Sequence, residues 1–189
     1  MALPTIAPAP VTPLSAVPSG PQFGPLVAQR PMRVTASGAA LSGRDSAQNL
    51  ITYDPANVAD GQIETAWRVE GAGINAFVQL DFARPIRLAS LRLLPGYTKI
   101  DRTDGSDRFL QNRRVRRVRL EFSDGCSIEA RFNIEDRRLQ NVVFDAVQPA
   151  IVTSYLRVVI LDTSAPGTNL PRDFTPISEI EVIGEELLQ

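Results

Sequence analysis

Histidine is absent from this 189-residue chain, and cysteine and lysine occur once each, at Cys126 and Lys99. Without histidine there is no Ser-His or Cys-His nucleophile pair, no imidazole metal ligand and no proton shuttle tuned to neutral pH. A single cysteine excludes an intrachain disulfide and a Cys-based zinc site, so the fold must hold by packing. No apolar run approaches the roughly 18 residues that span a bilayer, and no charged segment followed by an apolar stretch opens the chain. Twenty basic against 21 acidic side chains leave a net charge of -1, which supplies no overall field for a polyanion. Neither nucleic-acid binding nor membrane insertion is expected. Carboxylates, Arg, Tyr and Lys99 remain for chemistry, and no nucleophile–base pair can be named among them, so no catalytic residue is expected.

Charge is also missing locally. From Ala2 to Gln29 there is no ionisable side chain, and the stretch from Pro4 to Pro31 holds eight of the fifteen prolines. Each proline fixes φ and lacks an N–H, which rules out a helix interior or a central strand. Residues 1–30 therefore read as a Pro-rich, semi-rigid linker without a fold of its own, a spacer to something upstream. Residues 31–189 are long enough to close one core and read as one domain.

Beyond Pro31 the apolar period is two. Val78, Leu80 and Phe82 alternate in "FVQLDF". In "VRLEFSDGCSIEARF", Val118, Leu120 and Phe122 lead into a Ser-Asp-Gly turn, and Ile128, Ala130 and Phe132 follow it, which is a hairpin signature. In "IRLASLRLL", Ile86 and Leu88 fall in one phase and Leu91 and Leu93 in the other, so one face stays buried only with a bulge near Ala89 and Ser90. Two late strands point Leu156, Val158 and Ile160, then Ile180 and Val182, inward. About eight short strands and no amphipathic helix predict an all-β antiparallel sandwich.

The stretch "NVADGQIETAW" contains the chain's one tryptophan. Asp60 can accept backbone N–H groups across the turn that Gly61 permits, Thr65 can bond locally, and Trp67 can cap one end of the core. "DGQIETAW", "GYTK", "NRRVRRVRLEFSDG" and the closing "ISEIEVIG" together resemble the galactose-binding-like (discoidin) jelly roll. More narrowly they resemble the bacterial NADase-type glycan-binding domains, over about residues 33–184. The resemblance implies a non-catalytic accessory module on the cell surface that binds a glycan or another polar surface ligand. The competing class is a structural or protein-interaction sandwich with a protein partner. The resemblance further implies that Asp60, Thr65 and Glu179 help hold a structural Ca²⁺. Gln62 departs from the shorter Asn or Asp frequent in that corner, and a corner held by hydrogen bonds alone is the alternative. No other cofactor is expected.

Ligand recognition is expected on loops, at Tyr97, Lys99, Asn112 and Arg113. Pro95-Gly96 turns the chain after a strand, a tyrosine face can stack on a pyranose, and Lys, Asn and Arg can donate to its hydroxyls. The alternative is that Tyr97 packs on the sandwich rim and Asn112 caps a turn. In "RRVRRVRL", Arg117 and Arg119 alternate with Val118 and Leu120 and read as the wet face of a strand rather than a phosphate track. "DRTDGSD" groups Asp101, Asp104 and Asp107 without EF-hand spacing and reads as a solvated loop tip.

Overall fold

One strand of 18 residues, Phe77–Leu94, organises the molecule. The computed structural model describes residues 20–188 except Asp145, Ala146 and Gln148. In chain order the strands are β1 (Val27–Gln29), β2 (Arg33–Ala36), β3 (Gly43–Arg44), β4 (Leu50–Ile51), β5 (Trp67–Glu70) and the long β6 (Phe77–Leu94). They continue as β7 (Val115–Phe122), β8 (Ser127–Arg131), β9 (Gln140–Val143), β10 (Val152–Thr163), β11 (Phe174–Ile177) and β12 (Glu179–Glu186). Helical structure among the described residues is a 3₁₀ turn at Pro55–Ala59 and one short helix, α1 (Arg108–Gln111). The strands beyond the eight expected are short ones, in which alternation has no room to declare itself.

All pairings are antiparallel, and the main sheet runs β1-β12-β6-β10-β7-β8, with β2 and β9 also on β6. The first half of β6 pairs with β2 and the second half with β12 and β9, while β10 runs along the first half and on past a bend to Ile86 and Arg87. Between them, Thr153 faces Ile86 while Tyr155 faces Asp81, so β6 residues 82–85 bow out opposite Ser154. This bend lets one strand serve both layers of a β-sandwich. Val78, Leu80, Leu120 and Leu156 meet Leu91, Leu93, Ile180 and Val182 in a single core. The expected bulge is present: Ser90 faces Ile183 and Leu88 faces Gly184, which leaves Ala89 unpaired and restores the inward phase for Leu91 and Leu93. The expected hairpin forms too, with Val118 opposite Ala130 and Leu120 opposite Ile128.

The linker expectation needs correction at its C-terminal end. Residues 1–19 lie outside the described residues, but Val27–Gln29 pair with Val182–Gly184, Phe23 bridges Leu187, and the Gly24 N–H donates to Glu186 O at 2.8 Å. The Arg87 guanidinium lies 4.3 Å from the Phe23 ring centre. Pro21 and Pro25 fall outside the two paired runs, Gln22 to Gly24 and Val27 to Gln29, so a proline-rich segment can still edge a sheet. A chain starting at Pro31 should melt lower than one starting at Gly20 by about 4–8 °C, for roughly 2 kcal/mol of lost edge pairing. Equal melting temperatures would show that this strand contributes nothing.

Candidate functional site

Two places gather polar side chains. The first is the corner before β5. Gly61 adopts φ 76°, a left-handed turn across which the Asp60 Oδ1 accepts the Gln62 N–H at 2.8 Å. The Thr65 hydroxyl stands 2.8 Å from Asp60 Oδ2 and 2.9 Å from the Gln62 carbonyl, able to donate to either. Beneath them Trp67 is fully buried, its Nε1–H donating to Gly38 O at 2.8 Å. Glu179, the first residue of β12, lines the same cleft of about 320 Å³ as Asp60, Gly61, Gln29 and Arg30. Its side chain is buried and its Oε2 has no hydrogen-bond partner among the described residues. Burial first, then the negative charge of Asp60, push its carboxyl up to about 7, against the pull of the Gly61 and Ile180 amides. A buried carboxylate oxygen left open beside a second carboxylate and a hydroxyl is a donor set suited to a hard cation. No cluster of three or more acidic, His or Cys side chains exists among the described residues, so such a cation would draw its remaining oxygens from carbonyls and water.

The second place is formed by three loops. One runs from β3 to Tyr53, one from Tyr97 through α1, and one from Ser164 to β11. Gly167 lets the third reach the second: a Cβ there would stand 1.7 Å from Leu110 O, while the Gly167 and Arg172 amides donate to Gln111 O. Asp107 caps α1, accepting from the Phe109 and Leu110 amides. Asp101 is buried and accepts from the Ser46 hydroxyl and amide, the Thr103 amide and Arg108 Nη2, the last at 3.0 Å. Those hydrogen bonds, Ser46 first, hold its carboxyl well below the usual carboxylate range. The expected solvated tip is thus corrected: Asp101 is the fastener of the loop cluster, because its neighbours in space, residues 46 and 108, supply donors that spacing along the chain does not reveal.

The ligand candidates separate. Tyr97 is only 2% exposed and packs edge-on against Tyr53, with centroids 6.3 Å apart, so it offers no stacking face. Asn112 is fully buried at the end of α1, its Nδ2–H donating to Arg108 O at 2.7 Å. These two are scaffold, because a Pro-Gly turn re-aims the backbone without fixing which way the next side chain points. Arg113 donates to Asp173 Oδ1 at 2.5 Å and Ser164 O at 3.1 Å, stapling two loops. Lys99 pairs with Asp45 at 3.3 Å on the wall of a small notch of about 20 Å³, beside Tyr53, Arg108 and Arg172. Arg108 and Arg172 also wall an adjoining open depression of about 430 Å³, with Ser106, Gln111, Leu170 and Pro171. Arg117 and Arg119 pair with Glu129 and Glu121 on the strand surface, as alternation requires.

Arg68, Arg172 and Tyr53 escape a sequence reading. Arg68 follows a buried tryptophan in a strand, where alternation predicts exposure, yet it is 6% exposed. It lies 3.5 Å from the Tyr53 ring centre and 3.8 Å from that of Phe174. Tyr97→Ala should lower the melting temperature on the order of 10 °C, since truncating a buried aromatic costs about 3–5 kcal/mol. A stable Tyr97→Ala would return that residue to the ligand surface.

A family model described as NAD glycohydrolase translocation F5/8 type C domain matches residues 33–183. No curated protein matches the chain. Among solved structures it is similar to the family 32 carbohydrate-binding module of C. perfringens NanJ in complex with galactose, at 18% identity and TM-score 0.51, covering 80% of this chain and 92% of that one. It is similar to the corresponding module of AlyQ in complex with 4,5-unsaturated mannuronic acid, at 14% identity and TM-score 0.55, covering 82% and 97%. The F5/8 type C domain of a Bacteroides fragilis protein aligns at 15% identity and TM-score 0.53, covering 86% and 98%. At these identities the likeness establishes the β-sandwich fold.

Proposed function

The chain belongs to the NAD glycohydrolase translocation F5/8 type C domain family, and from that membership we propose that it is a non-catalytic module binding carbohydrate outside the cytoplasm, on a bacterial cell or its target surface. The observation that carries the reading is the loop-end depression of about 430 Å³. Its volume lies in the range of small-ligand sites, and its lining combines polar Ser106, Arg108 and Gln111 with the exposed apolar side chains of Leu170 and Pro171. That pairing suits a sugar ring, which has hydroxyls at its edge and C–H groups on its face. The titratable side chains of the lining are Asp104, Arg108 and Arg172, a set without a nucleophile and its base. The sugars bound by the modules of NanJ and AlyQ support the same class of ligand. Among the described residues no helix is long and apolar enough to cross a membrane.

A glycan microarray probed with the full chain tests the reading. Saccharide hits are expected; an array without a hit contradicts it and turns attention to a protein partner, which exposed Leu41, Leu50 and Leu170 could meet.

We also propose that the corner takes a structural Ca²⁺ through Asp60, Thr65 and Glu179. The ion would neutralise two carboxylates that otherwise face each other in a cleft, and so fasten the turn before β5 to the first residue of β12. Two melting curves decide it. In excess EDTA, Glu179→Gln should melt about 2–5 °C above the wild type, because a buried charge beside Asp60 is gone. In calcium at about 100 times Kd the wild type should gain roughly 2.7 kcal/mol and about 5–10 °C, while the variant gains little. Curves indifferent to calcium would leave a corner held by hydrogen bonds alone.

A further inference from the structure

The loop end carries more positive charge than its own carboxylates balance. Five cations gather there, namely Arg44, Lys99, Arg108 and Arg172 on the notch wall and Arg68 behind Tyr53. Two are matched inside the protein, Lys99 by Asp45 and Arg108 by Asp101. Asp104, on the depression wall, accepts from the Ser106 amide at 2.8 Å and forms no ion pair among the described residues. Among the described residues Arg44, Arg68 and Arg172 likewise have no carboxylate partner, and the buried Nε of Arg68 has no hydrogen-bond partner.

An uncompensated guanidinium in a half-buried site is costly, and its planar fork is built for carboxylate or sulfate oxygens. Burial, followed by the field of Arg108, draws the Arg172 guanidinium below its ordinary value; for Arg68, burial and then the field of Arg172 have the same direction. Both remain cations at any physiological pH. Burial, reinforced by Tyr53, pushes the Tyr97 hydroxyl up, which keeps it protonated. The notch is therefore lined by four cations and two tyrosines, with Ile51 and one carboxylate, Asp45, which Lys99 already neutralises, and it adjoins the depression through the shared walls of Arg108 and Arg172.

We propose that the loop-end site selects an acidic saccharide, seating a carboxylate or sulfate ester against Arg172 and Arg44 at the notch while the ring lies in the depression over Leu170 and Pro171. This rests on the carbohydrate-binding reading above and adds to it the charge of the ligand. Arg68 does not touch the ligand in this account; stacked between Tyr53 and Phe174, it contributes a fixed positive potential behind the notch.

The test uses an array that carries neutral, uronate, sialylated and sulfated glycans, probed with the full chain, followed by calorimetry on the strongest hit. Hits should be acidic, and their division between carboxylated and sulfated members identifies the anion. Affinity should fall about 10- to 100-fold in Arg172→Gln, fall with rising salt, and stay unchanged in Arg84→Gln, an exposed arginine in the bend of β6. The melting temperature of Arg172→Gln should not fall below that of the wild type, since the Arg172 side chain forms no ion pair among the described residues and its charge is half-buried. Hits confined to neutral glycans, or acidic hits unaffected by Arg172→Gln, overturn the acidic preference and leave carbohydrate binding standing. An array with no hit of any kind removes both.

Discussion

A guanidinium held between two aromatic rings is the contact from which the functional end of this protein is built. Trp67 and Arg68 are consecutive residues of β5 and both are buried, the indole in the main core and the guanidinium on the other side of the strand. The tryptophan needs the sandwich to cover it. The arginine needs Tyr53, from the loop after β4, and Phe174, where the third loop enters β11, and Tyr53 in turn packs on Tyr97 from the loop after β6. A cation stacked between two faces and shielded from water is worth about 2 kcal/mol or more, and it orders all three loops at once. That order lets Arg108, Arg172 and Lys99 stand at fixed places around one notch.

The scaffold was legible in the sequence where strands were long. Eighteen residues of β6 display both their alternation and the change of phase at Ala89, and the position of the bulge follows from the demand that Ile86, Leu88, Leu91 and Leu93 all reach the core. The β7–β8 hairpin and the inward faces of β10 and β12 are readable for the same reason. Strands of two to four residues show too few positions for a period to emerge. β1 was hidden further by the prolines that flank it, Pro25 and Pro31, which mark a linker by composition but are tolerated beside an edge strand.

The site was legible only in outline. The loop after Pro95-Gly96 does reach the polar notch, through Lys99 and the edge of Tyr97, but of the four side chains expected to meet a sugar, Tyr97 and Asn112 are buried in the scaffold. A tyrosine suits a rim and a core equally well, and sequence does not say which a loop will choose. Asp101 was misplaced and Arg68 passed over for a related reason: charged residues are expected in water unless paired, and their partners, Ser46 and Arg108 for one and two aromatic rings for the other, come from elsewhere in the chain. The corner at Asp60 was clearer because its Asp-Gly turn is local, and only the burial of Glu179 needed three dimensions.

The corner and the loop end are separate clefts with no lining residue in common, and the proposed functions divide between them: one fastens the fold, the other meets the ligand. The central claim is the second half of that division. Amide chemical-shift mapping of a bound saccharide on the isotope-labelled protein tests it most directly. The account predicts perturbations clustered in residues 44–53, 97–111 and 164–174, with the corner around Asp60 and Glu179 silent. Perturbations centred on that corner, or spread along the outer sheet faces, would contradict it.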